Sequence, residues 1–321
     1  MTAPRPRRVR VDNPATPENF DEAAYLASNP DVARAVAASV IPSGRAHFDT
    51  YGMREGRRIH LTAPMEPLRR AKMRRLRPLL RLDMPHERRG LVHDFLTDDL
   101  RRLGAIQDTH AVSANTYSPA LIDLVERHAD GLVLDCGAGR RDVYFENVVN
   151  LEIVPYDTTD VVGLGERLPF RDDSFDAVIS IAVLEHVRDP FACAAEIVRV
   201  LKPGGELFCD VPFLQPLHGY PHHYYNMTGQ GLRALFEGAL DIDDVSVMRE
   251  GLPVWSLTWI VQSWADGLEE PARSEFLSLR LGDLLQPTAN FLDKAWVSGL
   301  SQEKNAELAS VTTLRGRKKL A

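Results

Sequence analysis

Leu132-Val133-Leu134-Asp135-Cys136-Gly137-Ala138-Gly139-Arg140-Arg141, LVLDCGAGRR, decides the fold. An apolar run ends in an acid and passes at once into two glycines around an alanine. That order predicts a strand whose exit loop lets a ligand lie against bare backbone. Working outward, short apolar runs alternate with helical stretches: VVNLEI (148–153), DVVGL (160–164), FDAVIS (175–180) and ELFCDVP (206–212). Runs without polar alternation are the mark of parallel strands covered on both faces. The expected fold class is α/β, a doubly wound, mostly parallel Rossmann-like sheet of seven strands.

Two helices frame the first and fourth strands. SPALIDLVERHADG (118–131) is amphipathic, with Leu121, Leu124 and Val125 on one side and Gly131 closing it. In the second, Asp189 is an N-cap and Pro190 the first helical residue, with Ala194, Ile197, Val198 and Leu201 as the apolar face. LKPGG (201–205) stops it.

The remainder divides by composition. Residues 1–17, rich in Pro and Arg, are expected to be a disordered tail. Residues 18–62 read as a small helical module, and YLASNPDVA with HFDTYGMREGR resembles a short element that accompanies bacterial glycosyltransferases and some surface proteins. Residues 63–112 read as a basic helical connector, with seven cations and no acid from Arg69 to Arg81. Such a run is a solvated helix face, or else a surface for RNA, anionic lipid or an acidic partner. Residues 113–321 form the main domain, with a helical insertion at about 252–307 before a last strand near 308–318. There Trp255, Trp259 and Trp264 recur at helical spacing, as core, as the contact of a homodimer, or as a wall of the acceptor pocket.

Net charge is −7 overall, yet residues 1–110 carry +6, so a nucleic-acid surface spanning the whole molecule is excluded. Cys136, Cys193 and Cys209 lack the paired spacing of zinc or redox motifs and read as core thiols of a reducing compartment. No run approaches the ~20 apolar residues of a membrane span, and no secretory leader is legible, so the cytoplasm is the expected location.

A dinucleotide fingerprint requires a third glycine where Asp142 stands, an acid that would repel a pyrophosphate. No phosphate-binding lysine and serine follow the loop either. A phosphate-free nucleoside fits better. LDCGAG, LPFRDDSFDAVIS, VLEHV and EIVRVLKPGG, in this order, resemble the class I S-adenosylmethionine-dependent methyltransferases of the methyltransferase type 11 kind. The resemblance implies S-adenosylmethionine as cofactor. It places the methionine end on Asp135, Cys136, Gly137 and Gly139 and the ribose hydroxyls on Glu152. Ile153 would lie against the adenine, Gly165 and Glu166 would meet the adenine edge, and Ser180 and Ile181 would close the pocket. The sequence departs from the pattern in Arg141, where a small residue is usual, in Leu164, where an acid is usual, and in the twelve residues between Gly139 and Glu152. That interval forces the intervening helix to shorten or become a loop.

VPFLQPLHGYPHHYYNMTGQGL (211–232) leaves a strand at its carboxyl end and should overhang the cleft. His218, His222 and His223 are candidate general bases there, with His186 after the fourth strand; packing roles compete for most of them. A metal is not expected from this spacing. The expected acceptor is a hydroxyl, or an amine, of a small molecule, with a sugar or glycan leading. An RNA-directed enzyme using residues 64–102 and a non-catalytic cofactor-binding scaffold are the alternatives.

Overall fold

The computed structural model describes residues 5–106, 113–219 and 222–319. The chain forms two compact units, Met1–Asp210 and Val211–Ala321.

In the first unit the strands are β1 Arg8–Arg10, β2 Asp12–Pro14, β3 Arg58–His60, β4 Glu87–Arg89, β5 Val92–Asp94, β6 Ala114–Asn115, β7 Val133–Cys136, β8 Arg140–Arg141, β9 Val143–Phe145, β10 Val148–Glu152, β11 Val161–Val162, β12 Phe175–Ile181 and β13 Leu201–Asp210. Its helices are α1 Glu22–Ser28, α2 Pro30–Ala37, α3 Gly44–His47, α4 Glu66–Leu76, α5 Asp98–Leu103, α6 Pro119–Arg127 and α7 Pro190–Val200. Seven strands make the main sheet in the order β13-β12-β7-β10-β11-β5-β4, all neighbours parallel except the β4–β5 hairpin. The Rossmann-like class is as the sequence predicts.

Both faces of the central strands are covered. Val133, Val148, Ala177 and Ile179 pack against Leu121, Leu124 and Val125 of α6. Their alternating neighbours Leu134, Val149 and Val178 are equally buried. Each large aliphatic side chain so buried contributes about 1.5–3 kcal/mol, which is why unbroken apolar runs become central strands. Ser118 caps α6, and Asp189 caps α7 by accepting from Ala192 N–H at 3.0 Å. After α7 the register jumps from Phe175↔Leu201 to Ala177↔Glu206, with Gly204 at φ +77°, so LKPGG forms an irregularity at the start of β13.

Three expectations fail. Of the expected tail, residues 5–17 are described and are not one: β1 pairs antiparallel with β9 and β2 with β3, because a strand edge at Val143–Phe145 offers unpaired backbone to Arg8–Arg10. The helical module therefore includes this segment. Its core is Ala15, Tyr25, Val32, Phe48 and Ile59, and His60 binds Asp12 at 2.8 Å and also Asp157 of the main domain. The connector is not only helical, since it supplies β4 and β5 to the sheet. The last strand expected near 308–318 is not formed, so the far edge of the sheet comes from before β7 rather than from the carboxyl end of the chain.

The basic run is also not one solvated face. Helical periodicity buries Leu68, Arg69, Lys72, Met73 and Leu76 on one stripe of α4. Buried Asp160 accepts from Lys72 Nζ at 2.6 Å, Arg69 Nε at 3.3 Å, Asn150 N–H at 3.0 Å and the Tyr144 hydroxyl. Burial pushes Lys72 down to about 8 against the pull of Asp160.

The second unit contains α8 Gly229–Phe236, α9 Pro253–Asp266, α10 Ala272–Leu277, α11 Ala295–Ser298 and α12 Gln302–Glu307. Its core is Ala265, Leu268, Phe276, Trp296 and Leu300. The tryptophan series divides: Trp264 stacks on Phe276 at 5.7 Å, whereas Trp255 and Trp259 are 58% and 38% exposed.

Candidate active site

The geometry starts from three adjacent parallel strands. Asp135 of β7 stands opposite Asn150 of β10 and Ile179 of β12, and Cys136 opposite Leu151. Glu152, one residue on, therefore emerges beside the glycine loop. The amides of Gly137 and Ala138 both donate to Leu151 O, at 2.9 and 3.0 Å, and hold the loop against β10. Gly137 and Gly139 have φ of +79° and +62°, which side-chain-bearing residues rarely adopt. A Cβ at Gly137 would stand 2.5 Å from Val183 Cγ2. The helix that usually separates the first two strands is absent, and β8 and β9 occupy the short interval, as the spacing required.

Glu152 completes this corner. Its Oε2 accepts from Gly139 N–H at 2.9 Å and its Oε1 from Ile153 N–H at 2.7 Å. Burial raises its pKa, and these amides oppose the rise by stabilising the anion. A bare-backbone strand exit with a carboxylate beside it suits a ligand that brings both donors and hydroxyls. The residues present thus fit the cofactor that the sequence resemblance implies.

Asp135 is fully buried and occupied from within. Arg141 Nε and Nη2 reach it at 2.8 and 3.0 Å, and the Tyr117 hydroxyl donates at 2.7 Å. The Arg141 guanidinium also lies 4.3 Å from the Tyr117 ring centroid. Asp135 thus acts by fixing the loop. Tyr117 escaped the sequence reading, and Arg141 entered it only as a departure from the family pattern. A cation six residues after a buried acid was the available signal. The Cys136 thiol points to α7, where its hydrogen bond, with burial, raises the Cys193 thiol.

The remaining cofactor candidates lie along the same strand ends. Ile153 packs on the Val162 and Leu164 cluster. A Cβ on Gly165 would meet Cys193 Sγ at 2.8 Å, so the chain passes close to α7 there. Glu166 accepts from Arg188 N–H at 3.1 Å and burial raises its pKa. Ser180 is buried within the sheet opposite Cys209, and Ile181 packs on the α6 core. Beyond β12, Ala182 has φ +52° and the chain turns so that Glu185 is buried, its pKa pushed up to about 8 by burial and by Asp210. His186 Nε2 lies 3.7 Å from Glu185 Oε1.

The other histidines belong to the second unit. His218 and His223 rings meet edge to face at 4.4 Å. His223 Nδ1 accepts from His218 N–H at 3.1 Å, so its proton sits on Nε2 and is donated to Asn226 Oδ1 at 2.8 Å. Both nitrogens of His223 thus serve loop structure. His218 Nδ1 is 2.8 Å from Pro216 O and must be its protonated nitrogen, which puts the lone pair on Nε2. Burial lowers the His218 pKa and favours this neutral form. His222 packs on Tyr224 at 5.2 Å. Tyr220, in the same segment, lies outside the described residues.

Comparison with known proteins agrees with this arrangement. Residues 132–209 match the family model described as a methyltransferase domain. The chain is similar to an uncharacterized methyltransferase of Schizosaccharomyces pombe, 43% identical over 58 residues, covering 18% of this chain and 21% of that protein. It is similar to an uncharacterized protein of Escherichia coli, 27% identical over 172 residues, covering 50% and 72%. It also resembles a demethylmenaquinone methyltransferase of Corynebacterium glutamicum, 49% identical over 51 residues, covering 16% and 22%. The chain thus spans about a fifth of the length of two of these relatives. From β7 to β13, where the family match and the glycine corner coincide, the chain is similar to methyltransferase domains.

Proposed function

We propose that the protein binds S-adenosylmethionine at the glycine corner and transfers its methyl group to a hydroxyl of a sugar or glycan. The observation that carries the cofactor half is the Glu152 carboxylate, 2.9 Å from the amide of Gly139. Glu152 would accept from the ribose hydroxyls, since a carboxylate offers two oxygens to two donors. Gly137 and Gly139 would admit the methionine end, Ile153 would lie against the adenine and Glu166 would meet its edge. Bound there, the cofactor supplies an electrophilic methyl group on a sulfonium. The chain's own contribution is alignment and exclusion of water, with a base to take the hydroxyl proton.

The base would be one of His186, His218, His222 and His223. His218 Nδ1 lies 2.8 Å from Pro216 O. Both nitrogens of His223 are engaged, with His218 N–H and Asn226 Oδ1, and His186 lies in the first unit beside Glu185. Support for a sugar acceptor comes from the aromatic and histidine-rich segment at 211–226, whose Tyr224 and Tyr225 are exposed. An RNA acceptor is disfavoured because Arg69 and Lys72 of the basic run are buried against the sheet. No described helix is long and apolar enough to cross a membrane, and we place the enzyme in the cytoplasm.

The test is incubation of the purified chain with S-adenosylmethionine and a cell-derived glycan pool, read by mass spectrometry. A gain of ~14 Da on a sugar hydroxyl, the mass of one methylene, supports the reading. The same gain on RNA, or cofactor binding without any product, overturns the acceptor half while leaving the cofactor half standing.

A further inference from the structure

The exposed half of the basic run has no part in the chemistry above. Arg74, Arg77 and Arg81, joined by Arg171, line a groove of about 820 Å³ within the first unit. Among the described residues Arg74, Arg77 and Arg171 form no ion pair with a carboxylate, and Arg81 reaches Asp83 only at 3.7 Å. Four arginines against two lining carboxylates leave an excess of positive charge, which costs energy unless an anion joins it. The groove is built rather than incidental, since backbone bonds clamp its two sides. Arg171 N–H donates to Leu79 O at 2.8 Å and Arg81 N–H to Pro169 O at 2.9 Å, while Leu80 bridges Phe170.

We propose that this groove is a binding site for a diphosphate group carried on a small organic molecule. Guanidinium groups match phosphate oxygens two by two, and three unpaired ones can satisfy a compact di- or trianion. The acidic lining residues argue for compactness. Asp83 and Asp172, the latter held by Arg199 at 2.8 Å, also line the groove and add negative charge that an extended polyanion would meet. Pro78 and Leu82 are exposed in the same groove and offer an apolar wall to whatever the diphosphate bears. The site lies before Phe175, where β12 begins, whereas the glycine corner lies where the strands end. Seven residues of strand, ~20 Å, separate the two ends. The groove is thus distinct from the methyl-transfer site.

Titration calorimetry of the full chain at fixed ionic strength tests this, with sodium pyrophosphate, uridine diphosphate and, as control, sodium sulfate. The expected result is saturable binding of a diphosphate, at least ~10-fold tighter than sulfate and weakened ~10-fold or more by Arg77→Gln or by Arg171→Gln. S-adenosylmethionine affinity should be unchanged in both variants, which also shows that they fold. Uridine diphosphate binding more tightly than pyrophosphate assigns the apolar wall to the attached group, and equal binding assigns recognition to the diphosphate alone. Binding no tighter than sulfate, or binding that survives both substitutions, overturns the proposal. So does retention of single-stranded RNA or phosphatidate-containing vesicles that neither diphosphate displaces.

Discussion

Gly137→Ala probes the loop most sharply, because the structure supplies both terms of its cost. At φ +79° an L-residue pays about 1–2 kcal/mol for left-handed backbone. The added Cβ would also meet Val183 Cγ2 at 2.5 Å and Cγ1 at 3.1 Å, an overpacking worth about 1–3 kcal/mol. The expected total is about 2–5 kcal/mol. Val183→Ala deletes both γ carbons, so in that background only the backbone term remains. A double-mutant cycle should therefore show the pair coupled by about 1–3 kcal/mol, the double variant being more stable than the sum of the singles. Urea unfolding of the four proteins, followed by far-UV circular dichroism, measures this. All four tryptophans lie beyond residue 250, so their fluorescence serves as a separate monitor of the second unit. Additive effects would refute the claim that Gly137 is required because Val183 fills the space in front of it.

Other outcomes follow from the buried charges. Arg141→Met leaves Asp135 buried with only Tyr117 donating to it, and should cost about 3–5 kcal/mol in the same unfolding assay, with much of the loss recovered by adding Asp135→Leu. Glu185 has a pKa near 8 in the folded protein against 4.5 in the unfolded chain, so the folded state holds a proton that the unfolded state has lost. Stability should fall as pH rises from about 4.5, level off above about 8, and lose this slope in Glu185→Gln. If His218 accepts the hydroxyl proton, His218→Asn should slow single-turnover methyl transfer by roughly 10²–10⁴ while leaving cofactor affinity unchanged, and His223→Asn should act through stability instead. Because burial raises the Glu152 pKa, cofactor affinity should increase with pH across its titration, and Glu152→Gln should abolish that dependence.

The sheet and its cofactor end were legible because they rest on local signals. Apolar runs, paired glycines at a strand exit and the Asp189-Pro190 helix start each act within a few residues. What escaped depends on distant partners. Arg8–Arg10 reads as tail because nothing nearby shows that Val143–Phe145 offers an unpaired edge. Arg69 and Lys72 read as solvated cations because their counter-charge, Asp160, lies some ninety residues on. Val92–Asp94 is a three-residue strand within charged sequence, and only parallel pairing with Val161–Val162 identifies it. Tyr117 and Arg141 follow the same pattern: each is ordinary alone and gains meaning from the buried Asp135 between them. The histidine cluster could be found by composition, but which ring nitrogens meet Pro216 O and Asn226 Oδ1 depends on contacts that spacing does not encode.

The most direct test is titration calorimetry of S-adenosylmethionine into the wild-type chain and into Glu152→Gln, each verified as folded by circular dichroism. The account predicts one-to-one binding by the wild type and a roughly 10- to 100-fold loss in the variant, the worth of charge-assisted hydrogen bonds from two hydroxyls. No heat with the folded wild type, or equal affinity in the two proteins, would contradict it.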